Sequence, residues 1–159
     1  MPESIYIETT IPSLYVARPS SLLVESARQR LTKIWWDDYR FDYNLVCSQT
    51  VIDECARGES QMAGRRVTLL DSLPLLELSN EVMEIAQDLV DREIIPPKAP
   101  DDAVHIAVAS VHKIDYLLTW NCKHIANPHN WRRISDCLSE HGFRASVICT
   151  PEDLIGDDI

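Results

Sequence analysis

Four short segments of the chain hold residues suited to binding a hard cation. Glu8-Thr9-Thr10 follows a β-type run, Asp53-Glu54 sits in a helical stretch, Asp101-Asp102 opens another helix, and Trp120-Asn121-Cys122-Lys123 follows a second β-type run. Carboxylates gathered in one place repel and raise each other's pKa. A bound divalent cation offsets that repulsion, and oxygen-only donors favour Mg²⁺ or Mn²⁺ over zinc. Such a cation activates water and stabilises both oxygens of a phosphodiester displacement, which is the logic of a nuclease.

Each residue also has a plainer reading. Glu8 can be a polar strand end and Glu54 a solvated helix residue beside Asp53. Glu54 is favoured over Asp53 because its helical neighbours Ile52 and Cys55 turn inward. In the Asp101-Asp102 pair the expected division is that Asp101 caps the helix and Asp102 binds metal. Asn121 serves as a ligand or as a turn residue, since Asn tolerates left-handed backbone. His105 lies in the apolar face of its helix and reads as a satisfied core histidine rather than a catalytic base. Cys122, His124 and His129 hint at zinc but match no standard spacing, so zinc is set aside. Trp35-Trp36 reads as core or a dimer surface. Arg65-Arg66 and Arg132-Arg133 read as solvated faces and are the best available contacts for an RNA backbone.

Strands alternating with helices must position these groups. β-type runs are expected at 4–7, 44–47, 75–78, 116–119 and 145–149. Helical periodicity covers 22–39, 59–70, 80–92, 101–112 and 131–141, with a shorter helix after Ser48 or Thr50 that Gly58 stops. Leu23, Ala27, Leu31, Ile34 and Trp35 are the expected apolar stripe of the first helix. Pro12 and the polar residues before it are expected to end the first strand, and a Pro151 turn to lead into an acidic tail. The run YLLT has almost no polar alternation, as in a sheet covered on both faces. The order implies a three-layer α/β/α sandwich with a mostly parallel sheet, in one domain over 1–159. Ligands of such sheets collect at the carboxyl ends of the strands, where the acids above fall.

Composition narrows the choices further. With 159 residues, 45% hydrophobic and 25% charged, the chain has the balance of one globular domain. No apolar run reaches the length of a membrane span, the start lacks a secretion signal, and the five cysteines are odd in number without a C-x-x-C pair. A cytoplasmic protein with free thiols is the expectation. A formal charge of −10 argues against a binder that lives on phosphate contacts alone.

With these residues in view, the chain resembles the PIN-domain superfamily, and within it the VapC-type toxin ribonucleases. The matching segments are YIETTIPS (6–13), TVIDECARG (50–58), DDAVHIAVAS (101–110), DYLLTWNCKHIAN (115–127) and ICTPEDL (148–154), in the family's order over nearly the whole chain. The resemblance puts Glu8 where the family usually has its first aspartate, and Thr10 on the small polar position after it. Glu54 falls on the helical glutamate, and Asp102 on the aspartate of the D-A-x-H-I-A pattern. Thr119 falls on a hydroxyl position, and Asn121 where many members carry a fourth acid. Glu8 and Asn121 depart from the commonest pattern and resemble a branch with E-T-[ST] and T-W-N.

The resemblance implies a Mg²⁺- or Mn²⁺-dependent endoribonuclease, the toxin of a toxin–antitoxin pair. Glu8, Glu54 and Asp102 would hold metal and Asn121 would assist. Thr10, Thr119 and Asp101 would support them, and Lys123 would stabilise charge at the scissile phosphate. It further implies a homodimer and a small antitoxin whose cationic tail fills the acidic groove. The alternative is a catalytically weakened PIN-like module that binds RNA or protein. A phosphoryl-transfer domain of receiver type is disfavoured, because Glu8-Thr9-Thr10 lacks a nucleophilic aspartate.

Overall fold

The first strand, β1 (Ser4–Ile7), is the most apolar stretch near the start of the chain, and Ile5, Tyr6 and Ile7 are fully buried. A computed structural model, which describes residues 1–156, places it at the centre of a five-stranded sheet. Its neighbours are β2 (Asn44–Ser48) and β4 (Tyr116–Leu118), with β3 (Leu75–Leu76) and β5 (Val147–Cys149) at the edges, in the order β3-β2-β1-β4-β5. Every pairing is parallel, with Ile5 opposite Leu45 on one side and Tyr116 on the other. A strand paired on both edges and covered on both faces has no use for polar alternation, and β1 shows none.

Helices form the outer layers. α1 (Thr10–Val16) packs against α2 (Leu23–Ile34) and α4 (Ser60–Leu69), and α8 (Pro151–Leu154) joins α2. α6 (Pro100–Val111) packs mainly on α5 (Asn80–Asp91), which also meets α7 (Pro128–Glu140). The short α3 (Gln49–Cys55) follows β2 and touches both α4 and α6. The chain therefore steps outward from β1 to β3, then crosses back to β4 and β5. The strand order reverses between β1 and β4, and the crevice at such a switch point is where open α/β sheets bind ligands.

Several expectations need correction. β1 ends at Ile7 as expected, but Pro12 opens no loop there: it lies in the first turn of α1, where its missing N–H has no intrahelical acceptor to lose. Of the expected stripe Trp35 is buried and Leu31 and Ile34 pack against the core, but Ala27 is exposed, Leu23 is 86% exposed, and the fully buried positions within α2 are Gln29 and Thr32. The two polar side chains are buried with their bonds made: Gln29 spans Arg18 O and Ser20 N, and Thr32 Oγ1 donates to Arg28 O and accepts from Trp120 Nε1. A wider, π-type turn at Trp35–Tyr39 follows, and both Trp35 and Trp36 reach the core there.

β3 is two residues long rather than four, and α7 starts at Pro128, three residues before the expected Trp131. Pro is favoured at a first helical position, and the Asn127 side chain caps the helix by accepting from His129 N. Pro151 opens the short helix α8 rather than a turn. The end of the acidic tail, Asp157-Asp158, lies outside the described residues. No helix among the described residues is long and apolar enough to cross a membrane.

Candidate active site

Glu8 is the residue after β1. Its N–H donates to Leu118 O at 3.1 Å, continuing the pairing with β4, and its side chain is left at the strand end only 2% exposed. A carboxylate so deeply buried needs donors. Thr10 supplies its main-chain N–H at 3.0 Å and its hydroxyl, and Thr119, the residue after β4, supplies Oγ1 at 2.7 Å. All three bonds end on Oε1. Burial pushes the Glu8 carboxyl upward, and the His105 charge and these donors only partly counter it.

Glu54 comes from α3 and turns inward, whereas Asp53 points to solvent and accepts from Gln49. Its Oε1 receives Thr9 Oγ1 at 2.6 Å and faces His105 Nε2 at 2.5 Å. Burial alone would raise this carboxyl, but the His105 hydrogen bond and charge outweigh it and hold Glu54 below the usual range. His105 is fully buried on α6. Its Nδ1 lies 2.7 Å from Tyr6 Oη, which is 2.7 Å from Ser48 Oγ. Burial opposes the imidazolium, yet the Glu54 bond and the charges of Glu8, Glu54 and Asp102 hold its pKa above the ordinary value. His105 is thus the satisfied core histidine expected, and it is also bonded directly to Glu54.

Asp102 lies in the first turn of α6, 8% exposed, with Oδ2 2.8 Å from His124 Nδ1. Asp101 is not the cap. Ala99 holds the cap position and Pro100 begins the helix, so Asp101 already lies inside the first turn, where it pairs with the exposed Arg57 at 3.3 Å. Asn121 Oδ1 accepts from His124 N at 3.0 Å, and its N–H donates to Thr119 Oγ1 at 2.8 Å. That geometry is a turn held by its own side chain. Lys123 is exposed, and its ammonium has no bond among the described residues. Arg66 is tied to Cys55 O and Arg57 O, and Arg133 to Arg92 O, so neither is a free contact for RNA.

At the strand ends Glu8 is thus bonded to Thr10 and Thr119, Glu54 to Thr9 and His105, and Asp102 to His124, which the Asn121 turn carries, while Asp101 and Lys123 lie outside this bonding pattern. Each acid uses one oxygen in its bonds. Glu8 Oε2, Glu54 Oε2 and Asp102 Oδ1 have no hydrogen bond within the described residues, and none is a buried orphan, since those atoms are Trp35 Nε1 and Ser146 Oγ. Three hard anionic donors with one oxygen apiece uncommitted suit an oxygen-seeking dication. Sequence reading missed Thr9, His124 and the attachment of His105 to Glu54. The E-T-T run and the D-A-x-H spacing were the visible signals, but neither names its remote partner.

A scan of protein-family models finds no match to the chain, and no curated protein matches it. Among solved structures, it is similar to a chain of the crystal structure of VapBC2 from Rickettsia felis bound to a DNA fragment from their promoter. The likeness has a TM-score of 0.55 at 12% identity and covers 92% of this chain and 98% of that one. At that identity the likeness is one of fold alone: a parallel five-stranded sheet between helices, an α/β/α sandwich.

Proposed function

We propose that the chain is a single PIN-like domain over residues 1–159 acting as a Mg²⁺- or Mn²⁺-dependent endoribonuclease, the toxin of a toxin–antitoxin pair. The observation that carries this reading is the set of three acids around His105 at the switch point, each with an uncommitted oxygen. Glu8, Glu54 and Asp102 would hold the metal, which when bound supplies water activation and charge stabilisation at the phosphodiester.

The chain's own residues do the positioning. Thr10 and Thr119 fix Glu8, Thr9 and His105 fix Glu54, and His124 fixes Asp102. Asn121 holds the turn that carries His124 toward Asp102. Attack on phosphorus in line with the leaving oxygen needs no covalent enzyme intermediate. The fold shared with a chain of a VapBC2 structure supports an antitoxin partner, and a net charge of −10 suits a cationic inhibitory segment. A homodimer belongs to the same reading.

The test is cleavage of end-labelled RNA by the purified protein with Mn²⁺, beside Asp102→Asn. Metal-dependent cleavage by the wild type that Asp102→Asn abolishes supports the proposal. Absence of metal-dependent cleavage in both overturns it in favour of a binding module.

A further inference from the structure

α5 and α7 contribute none of the acids above, yet their contact carries a second group of ligand atoms. Asp88 of α5 meets Cys137 of α7 and His141 at the end of that helix, and one ligand atom from each lies within 4.8 Å of the other two. Asp88 Oδ2 is 2.8 Å from His141 Nε2 and 3.6 Å from Cys137 Sγ. Metal–ligand lengths of about 2.0–2.3 Å in a tetrahedral zinc site imply ligand–ligand edges of roughly 3.3–3.6 Å. The Asp88–Cys137 edge already has that length, and the 2.8 Å Asp88–His141 edge must open by about 0.5 Å to reach it.

The surroundings favour a cation there. Cys137 and His141 are four residues apart, on one side of the helix. Arg92 Nε binds the other oxygen of Asp88, Oδ1, at 3.0 Å, which leaves Oδ2 aimed at the thiol and the imidazole. The charge of Arg92 is itself matched by Glu140, to which it is ion-paired, and Arg133 bonds the Arg92 carbonyl. The Arg92–Glu140 pair being neutral, the Asp88 carboxylate and a Cys137 thiolate would balance a dication. Cys137 is buried while His141 is exposed, giving an entry path and a place for a water as fourth ligand.

We propose that Asp88, Cys137 and His141 form a binding site for a thiolate-preferring divalent transition metal of the zinc class, separate from the hard-cation site. Metal entry releases the thiol proton to solvent, and His141 takes the tautomer with its proton on Nδ1, which frees Nε2 from its bond to Asp88 for the metal. The mixed O, S and N donor set discriminates against Mg²⁺ and Mn²⁺, which seek oxygen alone. The site stands on its own whether or not the chain cleaves RNA.

Co²⁺ titrated into the reduced full-length protein reads the site directly, because a thiolate-to-cobalt charge-transfer absorption requires a cysteine ligand. An oxygen-only site gives none. The expected result is one equivalent bound with that absorption, bleached by Zn²⁺, and unchanged in Cys122→Ser, which removes the exposed thiol near His124. Cys137→Ser should abolish the absorption, and His141→Gln should weaken Co²⁺ binding by at least about tenfold. His141 is exposed, so its variant carries the decision should Cys137→Ser fail to fold. No charge-transfer band in the wild type, its loss in Cys122→Ser, or unchanged affinity in His141→Gln would overturn the proposal.

Discussion

Thr119 Oγ1 donates to Glu8 Oε1 at 2.7 Å, joining the ends of two adjacent strands across 111 residues of chain. The same hydroxyl oxygen accepts from Asn121 N at 2.8 Å, so one side chain fixes both the first acid and the turn that follows β4. The second bond is local, two residues apart, but the first follows only from β1 and β4 being neighbours at the point where the strand order reverses.

Removing that hydroxyl without changing the volume isolates its role. Thr119→Val leaves Glu8 with one donor fewer and the Asn121 N–H without an acceptor, in a place water does not reach. The expected loss is about 1–3 kcal/mol in denaturant unfolding, with Thr119→Ser close to wild type. Metal-dependent cleavage should fall by roughly 10–100-fold, as for other losses of a group that orients a ligand. A Thr119→Val protein as stable as wild type would mean the bond contributes nothing net.

The Glu54–His105 pair should make stability depend on pH on both sides of a window. His105 has a raised folded pKa, so its contribution is full below its unfolded value of about 6.5 and is lost as pH rises through the folded one. Glu54 has a lowered folded pKa, so its contribution is full above its unfolded value of about 4.3 and is lost as pH falls through the folded one. The coupling energy from a double-mutant cycle of Glu54→Gln and His105→Gln should therefore plateau between those unfolded values and decline beyond them. A coupling flat from acid to alkaline pH would mark a neutral hydrogen bond instead.

Asn121 separates a turn from a ligand. Its Oδ1 accepts from His124 N, and the next ring along holds Asp102. Asn121→Ala should cost about 0.5–2 kcal/mol through loss of that bond. Asn121→Asp keeps the acceptor and adds a charge at the end of β4, so it should hold stability within about 0.5 kcal/mol and tighten Mn²⁺ binding. Calorimetric titration of the three proteins reads both effects. Weaker Mn²⁺ binding in Asn121→Asp would show that the added charge harms the site.

What the chain's order of residues made legible was the alternation of strand and helix and the inward turn of Glu54 and Asp102, because both rest on local periodicity. Where it misled, a distant group had intervened. Thr32 replaces an apolar residue on the buried side of α2 because the Trp120 indole needs an acceptor there. Asp101 is denied the cap because Pro100 already starts the helix. Asp88, Cys137 and His141 escaped notice because one of the three, Asp88, lies on α5, and the C-x-x-x-H spacing alone is too common to stand out.

Tyr6 tests whether the buried chain from Ser48 to Glu54 acts as a unit. Its hydroxyl lies between Ser48 Oγ and His105 Nδ1, both at 2.7 Å, in the middle of β1. Tyr6→Phe keeps the ring, the core volume and the aromatic contact with His105, whose centroid is 5.6 Å away. It strips a partner from two buried polar groups at once, which should cost about 1–3 kcal/mol. Ser48→Ala removes only the outer member and should cost less, since Tyr6 still serves His105. Freed from Tyr6, the imidazole loses the contact that sets its angle toward Glu54, so Mn²⁺ affinity should fall in Tyr6→Phe and hold in Ser48→Ala. Equal effects of the two substitutions on Mn²⁺ affinity would show that Tyr6 does not orient His105, and that the chain of bonds ends before it reaches the acids.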